Sequence, residues 1–302
     1  MTSPDSAFRC STASVLRDEP VSGTASTVRA FLLVEHTGSW GVDALRDARL
    51  PDGLGDSLAR AASAARVRAL LVRRPDRSTD QERMRVFAAF AHPSRSWAET
   101  TTLADPYQLL DLDLAALGAG RSPGLTPFDR TLLCVCTHGR HDACCAEQGR
   151  PVAAALAAAH PEDTWEVSHI GGDRFAGNMV VLPQGLYYGR LDAEASVLVA
   201  DRHAAGELDL DHLRGRSSYA MPVQFAEIAL RRQLGETRED ALRLVSRRVT
   251  EGVTDAVFAI GDAQWEVQVS TAPDADRFQL TCKATRDNPV PLHQLLGVAQ
   301  VQ

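Results

Sequence analysis

Four of the chain's six cysteines, Cys134, Cys136, Cys144 and Cys145, fall within twelve residues, and this restricts the chain more than any other feature. Crowded thiols pair, bind a metal, or are buried as small apolar groups. Met1 to Arg9 has neither the basic start nor the apolar centre of a secretory signal. No apolar run is long enough to cross a bilayer. The expected location is therefore the cytoplasm, and no membrane association is expected. That compartment is reducing, which argues against a disulfide framework and for metal binding or redox chemistry.

Composition narrows the classes further. The apolar fraction of 44% and the charged fraction of 24% are those of a folded globular protein. A formal net charge of -7 argues against a nucleic-acid binder, which needs a basic face. It leaves room for an acidic surface that docks on a basic partner protein.

Periodicity sketches the organisation. Residues 1–22 read as a polar leader. Val28 to Glu35 reads as a buried strand, residues 54–65 as a helix, and Val67 to Val72 as a second strand. Met84 to Phe90 and Trp97 to Leu103 read as a hairpin around Pro93. After a Gly-rich linker, residues 118–124, the same order recurs. Thr131 to Cys136 is a strand, and Pro151 to His160 a helix with Pro at its first position. Trp165 to His169 is a strand, and Asn178 to Leu182 with Leu186 to Leu191 a hairpin across Pro183-Gln184-Gly185. The first strands end alike, in Glu35-His36-Thr37-Gly38 and Cys136-Thr137-His138-Gly139. The order implies an α/β chain with two copies of a thioredoxin-like plan, only the second bearing the clustered cysteines, or else two independent small α/β units. Residues 1–125 form the degenerate copy, 126–238 the cysteine-bearing domain, and 239–302 a small β module. Amphipathic helices are expected at Ala193 to His203 and Pro222 to Leu234. In the module a short helix follows Arg238, then strands at Ala256–Ile260, Gln264–Ser270 and Phe278–Ala284.

Two segments carry the chemistry. In Cys136-Thr137-His138-Gly139-Arg140-His141-Asp142-Ala143-Cys144-Cys145 a loop leaves a strand and ends just ahead of a helix. The helix N-terminus and Arg140 favour thiolates. In His169-Ile170-Gly171-Gly172-Asp173 a Gly-Gly bend lets the histidine and the carboxylate turn toward one point. Two sulfur donors from one loop and two N/O donors from the other make a four-ligand site.

These segments, continued by Arg174-Phe175-Ala176-Gly177-Asn178, resemble the sucrase/ferredoxin-like family. The run Gly177 to Gly189 is similar to the hairpin that follows the last cluster cysteines in thioredoxin-like [2Fe-2S] ferredoxins. The resemblance extends from Gly23-Thr24-Ala25 to Gln224-Phe225-Ala226-Glu227. It implies a thioredoxin-like ferredoxin domain that holds a [2Fe-2S] cluster and exchanges electrons with a redox partner protein. By position, Cys136 and Cys145 match the family's two cysteine ligands and His169 its first histidine. Asp173 stands where fungal relatives have a second histidine, so the fourth ligand is open among Asp173, Cys144 and Cys282. Imidazole ligation implies a higher potential than four thiolates give, and one that depends on pH.

Other readings stand beside this one. The same donors suit zinc in a binding module. A thiol oxidoreductase is a third possibility, although no Cys-x-x-Cys pair precedes the helix. No paired carboxylates in a recognisable motif support glycoside hydrolysis, so no sucrase chemistry is expected. Cys134 reads as core, and Cys10 and Cys282 as single structural thiols. His138 and His141 read as exposed or as donors that tune the site. Asp173 has an alternative role in a salt bridge with Arg174 or Arg140. Gly215-Arg216-Ser217 reads as a loop in which Arg216 could bind an anion or a partner.

Overall fold

The computed structural model describes residues 8–76 and 83–301. The first seven residues of the leader therefore lie outside the described residues. After helix α1 (Cys10–Leu16), the first half runs β1 (Ala30–Glu35), α2 (Ala44–Asp47), α3 (Leu54–Ala64), β2 (Val67–Arg73), β3 (Met84–Phe90), β4 (Trp97–Leu103), α4 (Leu114–Gly118) and β5 (Thr126–Pro127). The second runs β6 (Leu132–Cys136), α5 (Ala143–Ala159), β7 (Thr164–Val167), β8 (Met179–Leu182), β9 (Leu186–Tyr188), α6 (Ala193–Ala204), β10 (Leu213–Arg216) and α7 (Met221–Leu234). Strands β11 (Arg243–Thr250), β12 (Val253–Ile260), β13 (Ala263–Pro273) and β14 (Pro291–Gln300) close the chain.

The chain is α/β, with one mixed ten-stranded sheet and a separate four-stranded antiparallel sheet. The large sheet has the order β10-β9-β8-β6-β7-β2-β1-β3-β4-β5. Each half repeats one pattern. β1 pairs parallel with β2 and antiparallel with β3, as β6 does with β7 and β8. The halves meet where β2 and β7 run antiparallel, with Val72 opposite Val167 and Arg73 opposite Glu166. The last pair is also a salt bridge of 2.5 Å.

The inner faces of the two halves pack on each other. Phe87 of β3 and Trp165 of β7 are three strand spacings apart in the sheet, about 14 Å if it were flat. Their ring centroids lie 5.2 Å apart, so the sheet curls strongly. Phe31, Leu33, Val72, Phe87, Cys134, Trp165 and Val180 form this shared core. On the outer faces, Leu54 and Leu58 of α3 pack on the first half, and Val152 and Leu156 of α5 on the second. Burial on both faces explains the continuous apolar runs of β1 and β6. A fourth core seats α7 on β12 and β13 through Val223, Leu230, Phe258 and Val267.

Four local expectations are corrected. Helix α5 begins at Ala143, not Pro151, because Asp142 caps it: its Oδ1 accepts the N–H of Cys144 at 2.9 Å. Pro151 lies inside that helix. The short helix expected after Arg238 is strand β11, and Phe278–Ala284 forms no strand beyond a single bridge from Phe278 to Asn288; β14 fills that role. Gly215-Arg216-Ser217 is no loop, since Gly215 and Arg216 belong to β10. Arg216 is buried and pairs with Glu227 at 3.1 Å and Glu239 at 3.2 Å, so it offers nothing to an outside anion. No helix among the described residues is long and apolar enough to cross a membrane.

Candidate metal centre

Cys136 is the last residue of β6, at the edge where a parallel β-α-β unit opens toward its helix. The chain then turns through Thr137–Asp142 and enters α5. Cys144 and Cys145 therefore stand in the first helical turn rather than in a loop. Neighbours on a helix point about 100° apart. Cys145 accordingly faces the inner core with Cys136, while Cys144 faces away toward Cys10 and Cys282.

The second donor segment leaves β7. Gly171 and Gly172 both have positive φ, 99° and 83°, where side chains are strained. There is also no room for one. A Cβ on Gly172 would lie 2.3 Å from Arg214 Nη2, and one on Gly171 would lie 2.5 Å from Ser26 Oγ. Arg214 is buried and fixed by four hydrogen bonds. It donates to Gly171 O at 2.9 Å, Asn178 Oδ1 at 2.8 Å, Thr24 O at 2.6 Å and Thr24 Oγ1 at 3.1 Å. Asn178 in turn donates to Gly172 O at 2.7 Å. The bend that sets His169 and Asp173 is thus clamped from both sides.

Ligand-capable atoms of Cys136, Cys145 and His169 all lie within 4.8 Å of one another. Asp173 touches two of them: its Oδ1 accepts from Cys145 Sγ at 3.1 Å. His169 Nδ1 is 2.9 Å from the same oxygen. That contact is close but too poorly aligned to be a hydrogen bond, so Nδ1 is buried with an ion-pair contact and no hydrogen bond. Two thiols and an imidazole around one point could hold a metal ion, with the Asp173 carboxylate beside them. His141, Nε2 of which is 3.7 Å from Asp173 Oδ2, stacks on His169 with ring centroids 3.8 Å apart. His141, His169 and Asp173 form a second group of donors close enough to share an ion.

Electrostatics agree with a binding site. The Cys136 thiol is held well below its ordinary value, first by its hydrogen bond with Cys145 and then by His169. Arg140 is exposed and plays no comparable part. Cys145 is pushed far up and keeps its proton, first because of the neighbouring Cys136 thiolate, then because of burial and the Asp173 carboxylate. Burial works against charge on His169, yet Asp173 and Cys136 outweigh it and raise the imidazole to about 9. Asp173 is lowered despite burial, chiefly by His169. Arg174 pairs instead with Glu19 at 2.7 Å, so the salt bridge considered for Asp173 is absent among the described residues.

His138 is buried, not exposed. Its Nδ1 accepts the N–H of His169 at 3.3 Å, and its Nε2 meets Gly41 O at 3.0 Å. These partners require a neutral ring protonated on Nε2. His138 therefore ties the His169 backbone to the first half. Cys134 is core, as its strand position predicts, and burial raises its thiol. Beside the loop lies a cleft of about 460 Å³, lined by Trp40, Arg73, His138, Arg140 and Arg150.

The sucrase/ferredoxin-like family matches residues 21–215, well over half of the chain. The chain belongs to this family. The matched span includes Cys136, Cys145, His169 and Asp173 but neither Cys10 nor Cys282. No curated protein matches the chain. No solved structure matches it either. Sequence reasoning gave His138 and His141 only as exposed or as tuning donors, and it missed Arg214. For the two histidines a signal existed in their position between the cysteines. For Arg214 there was none, because only the fold brings β10 beneath the Gly-Gly bend.

Proposed function

We propose that this sucrase/ferredoxin-like protein carries a [2Fe-2S] cluster held by Cys136, Cys145, His169 and Asp173, and serves electron transfer or redox sensing. The observation that carries this reading is the convergence of two buried thiols with an imidazole nitrogen that has no hydrogen-bond partner. A [2Fe-2S] cluster would supply a one-electron couple, tuned upward by a neutral ligand in place of a thiolate. Cys144 and Cys282 face away from this point, which favours Asp173 as the fourth donor.

The side chains divide the work. Cys136 and Cys145 are enclosed by the core, whereas the His169 side chain is 24% and that of His141 34% exposed. The histidine edge is therefore where a redox partner protein would approach. A ligating imidazole whose other ring N–H reaches solvent can lose that proton on oxidation. The potential should then fall as pH rises; a flat potential between about pH 6 and about pH 9 would contradict histidine ligation. The cytoplasm, where free thiols persist, suits such a protein.

The test is a visible and EPR spectrum of anaerobically purified protein with iron and sulfide counted. About two of each per chain are expected, with a red-brown colour. A colourless protein holding zinc on the same four residues would replace this reading with a zinc-stabilised module.

A further inference from the structure

The fold assembles a second donor cluster that the sequence does not announce. Cys10 opens α1, Cys144 lies in the first turn of α5 behind its cap Asp142, and Cys282 lies in the irregular segment between β13 and β14. Their ligand atoms, with a carboxylate oxygen of Asp142, all lie within 4.8 Å of one another. Cys144 Sγ is 3.3 Å from Cys282 Sγ, which is 3.7 Å from Cys10 Sγ. Cys10 Sγ is 3.7 and 3.8 Å from the two Asp142 oxygens. A tetrahedral site with metal–sulfur bonds of about 2.3 Å has ligand–ligand edges of about 3.8 Å. The cluster already has nearly those dimensions.

Asp142 supplies the second observation. It is fully buried. Its oxygens accept only neutral or weakly acidic donors: the N–H groups of Cys144 at 2.9 Å and Cys282 at 2.6 Å, and the Cys10 thiol. Among the described residues no Lys, Arg or His pairs with it. A buried carboxylate without a cation is costly, and each of its oxygens still has a lone pair to give. Three sulfurs select a thiophilic ion, and the hard oxygen favours Zn²⁺ over Cu(I). Four protein donors with no open position describe a structural rather than a catalytic zinc site. The N-terminus of the 17-residue helix α5 offsets part of the thiolate charge.

We propose that Cys10, Asp142, Cys144 and Cys282 form a structural zinc site that clips both ends of the chain to the helix turn carrying Cys145. On binding, the three thiols release their protons to solvent and the carboxylate binds as it stands. The ion would join segments up to 272 positions apart, and it would hold from outside the same turn that faces the first site from inside.

The test uses full-length protein prepared anaerobically without added zinc, examined by native mass spectrometry and metal analysis. One zinc per chain is expected. Cys282→Ser, at a half-buried position, should lose that zinc and keep the visible spectrum of the first site. Cys136→Ser should do the reverse. Should Cys136→Ser fail to fold, Co²⁺ added to chelator-treated wild type and to Cys282→Ser decides the matter: a thiolate-to-cobalt band must depend on Cys282. The proposal is overturned by zinc that leaves with Cys136 rather than Cys282, by wild type that binds neither zinc nor cobalt through Cys282, or by a Cys144–Cys282 disulfide in the anaerobic protein. The Cys282-dependent cobalt band does not depend on whether the first site holds iron.

Discussion

The two halves of the large sheet share a strand order and differ in what stands at the end of the first strand. Val72 and Val167 face each other across the junction, and they pair in their own halves with Glu35 and Cys136. Glu35 thus occupies in the first half the place of the thiol in the second. The first half is not idle, though. Gly41 O holds His138, Arg68 donates to His169 O at 3.0 Å, Ser26 donates to Ile170 O at 3.0 Å, and Thr24 anchors Arg214. One copy supplies the donors and the other holds them in place. The lesson is that two halves with one strand order can divide the work, one supplying donors and the other supporting them.

Exchanging a donor in the second half should have the largest effect. Cys145→Ser replaces a buried sulfur between Cys136 and Asp173 with a harder, less acidic group. Nearly complete loss of bound iron and of visible absorbance is expected, read by metal analysis on protein that is still folded by circular dichroism. Full retention of iron would remove Cys145 from the ligand set and with it the functional contrast between the halves.

Next comes the clamp that crosses between them. Arg214→Met keeps length and bulk but leaves Thr24 O, Gly171 O and Asn178 Oδ1 without their donor in a buried place. A loss of about 3 kcal/mol in urea unfolding is expected, together with weaker iron retention. A variant as stable as wild type that also keeps its iron would show that the Gly-Gly bend holds itself and that the first half contributes nothing through Arg214.

How much of this was legible follows from which interactions are local. The strands β3 and β4 and the bends at Pro183-Gln184-Gly185 and Gly171-Gly172 are written in short apolar or Thr-rich runs and turn residues, and they stand where those predict. The start of α5 was hidden because the capping role of Asp142 went unread, and a proline inside the helix looked like its beginning. The convergence of Cys136, Cys145 and His169 was suggested by their segments. The company of Cys10, Cys144 and Cys282 was not, since contacts across 138 and 272 positions leave no mark on local pattern. Likewise the curl that packs Phe87 on Trp165 depends on both halves at once.

A smaller effect concerns pH in metal-free protein. His169 is raised from 6.5 to about 9. A group raised on folding stabilises the native state fully below its unfolded value, and that contribution is lost as pH rises through the folded one. Chelator-treated wild type should therefore lose on the order of 2 kcal/mol between pH 6.5 and about 9, after allowance for screening at the partly exposed ring. His169→Ala should abolish that slope in urea melts. A slope that survives in His169→Ala would place its origin elsewhere.

The least effect should come from trimming the support without removing it. Trp40 is buried in the first half, with its ring edge on His138 at a centroid distance of 5.7 Å and Arg73 over its face at 4.1 Å. Its indole N–H donates to His36 O at 3.2 Å. Trp40→Phe keeps an aromatic edge against His138 but gives up that hydrogen bond and part of the cation–π contact, for a cost of about 1 kcal/mol. Thermal unfolding should register this, while the iron content and the spectrum stay unchanged. The reason is geometric: His138 is also held by Gly41 O and by the N–H of His169, so its ring does not depend on Trp40 alone. A shifted spectrum in Trp40→Phe would show that the first half tunes the centre electronically as well as holding it in place.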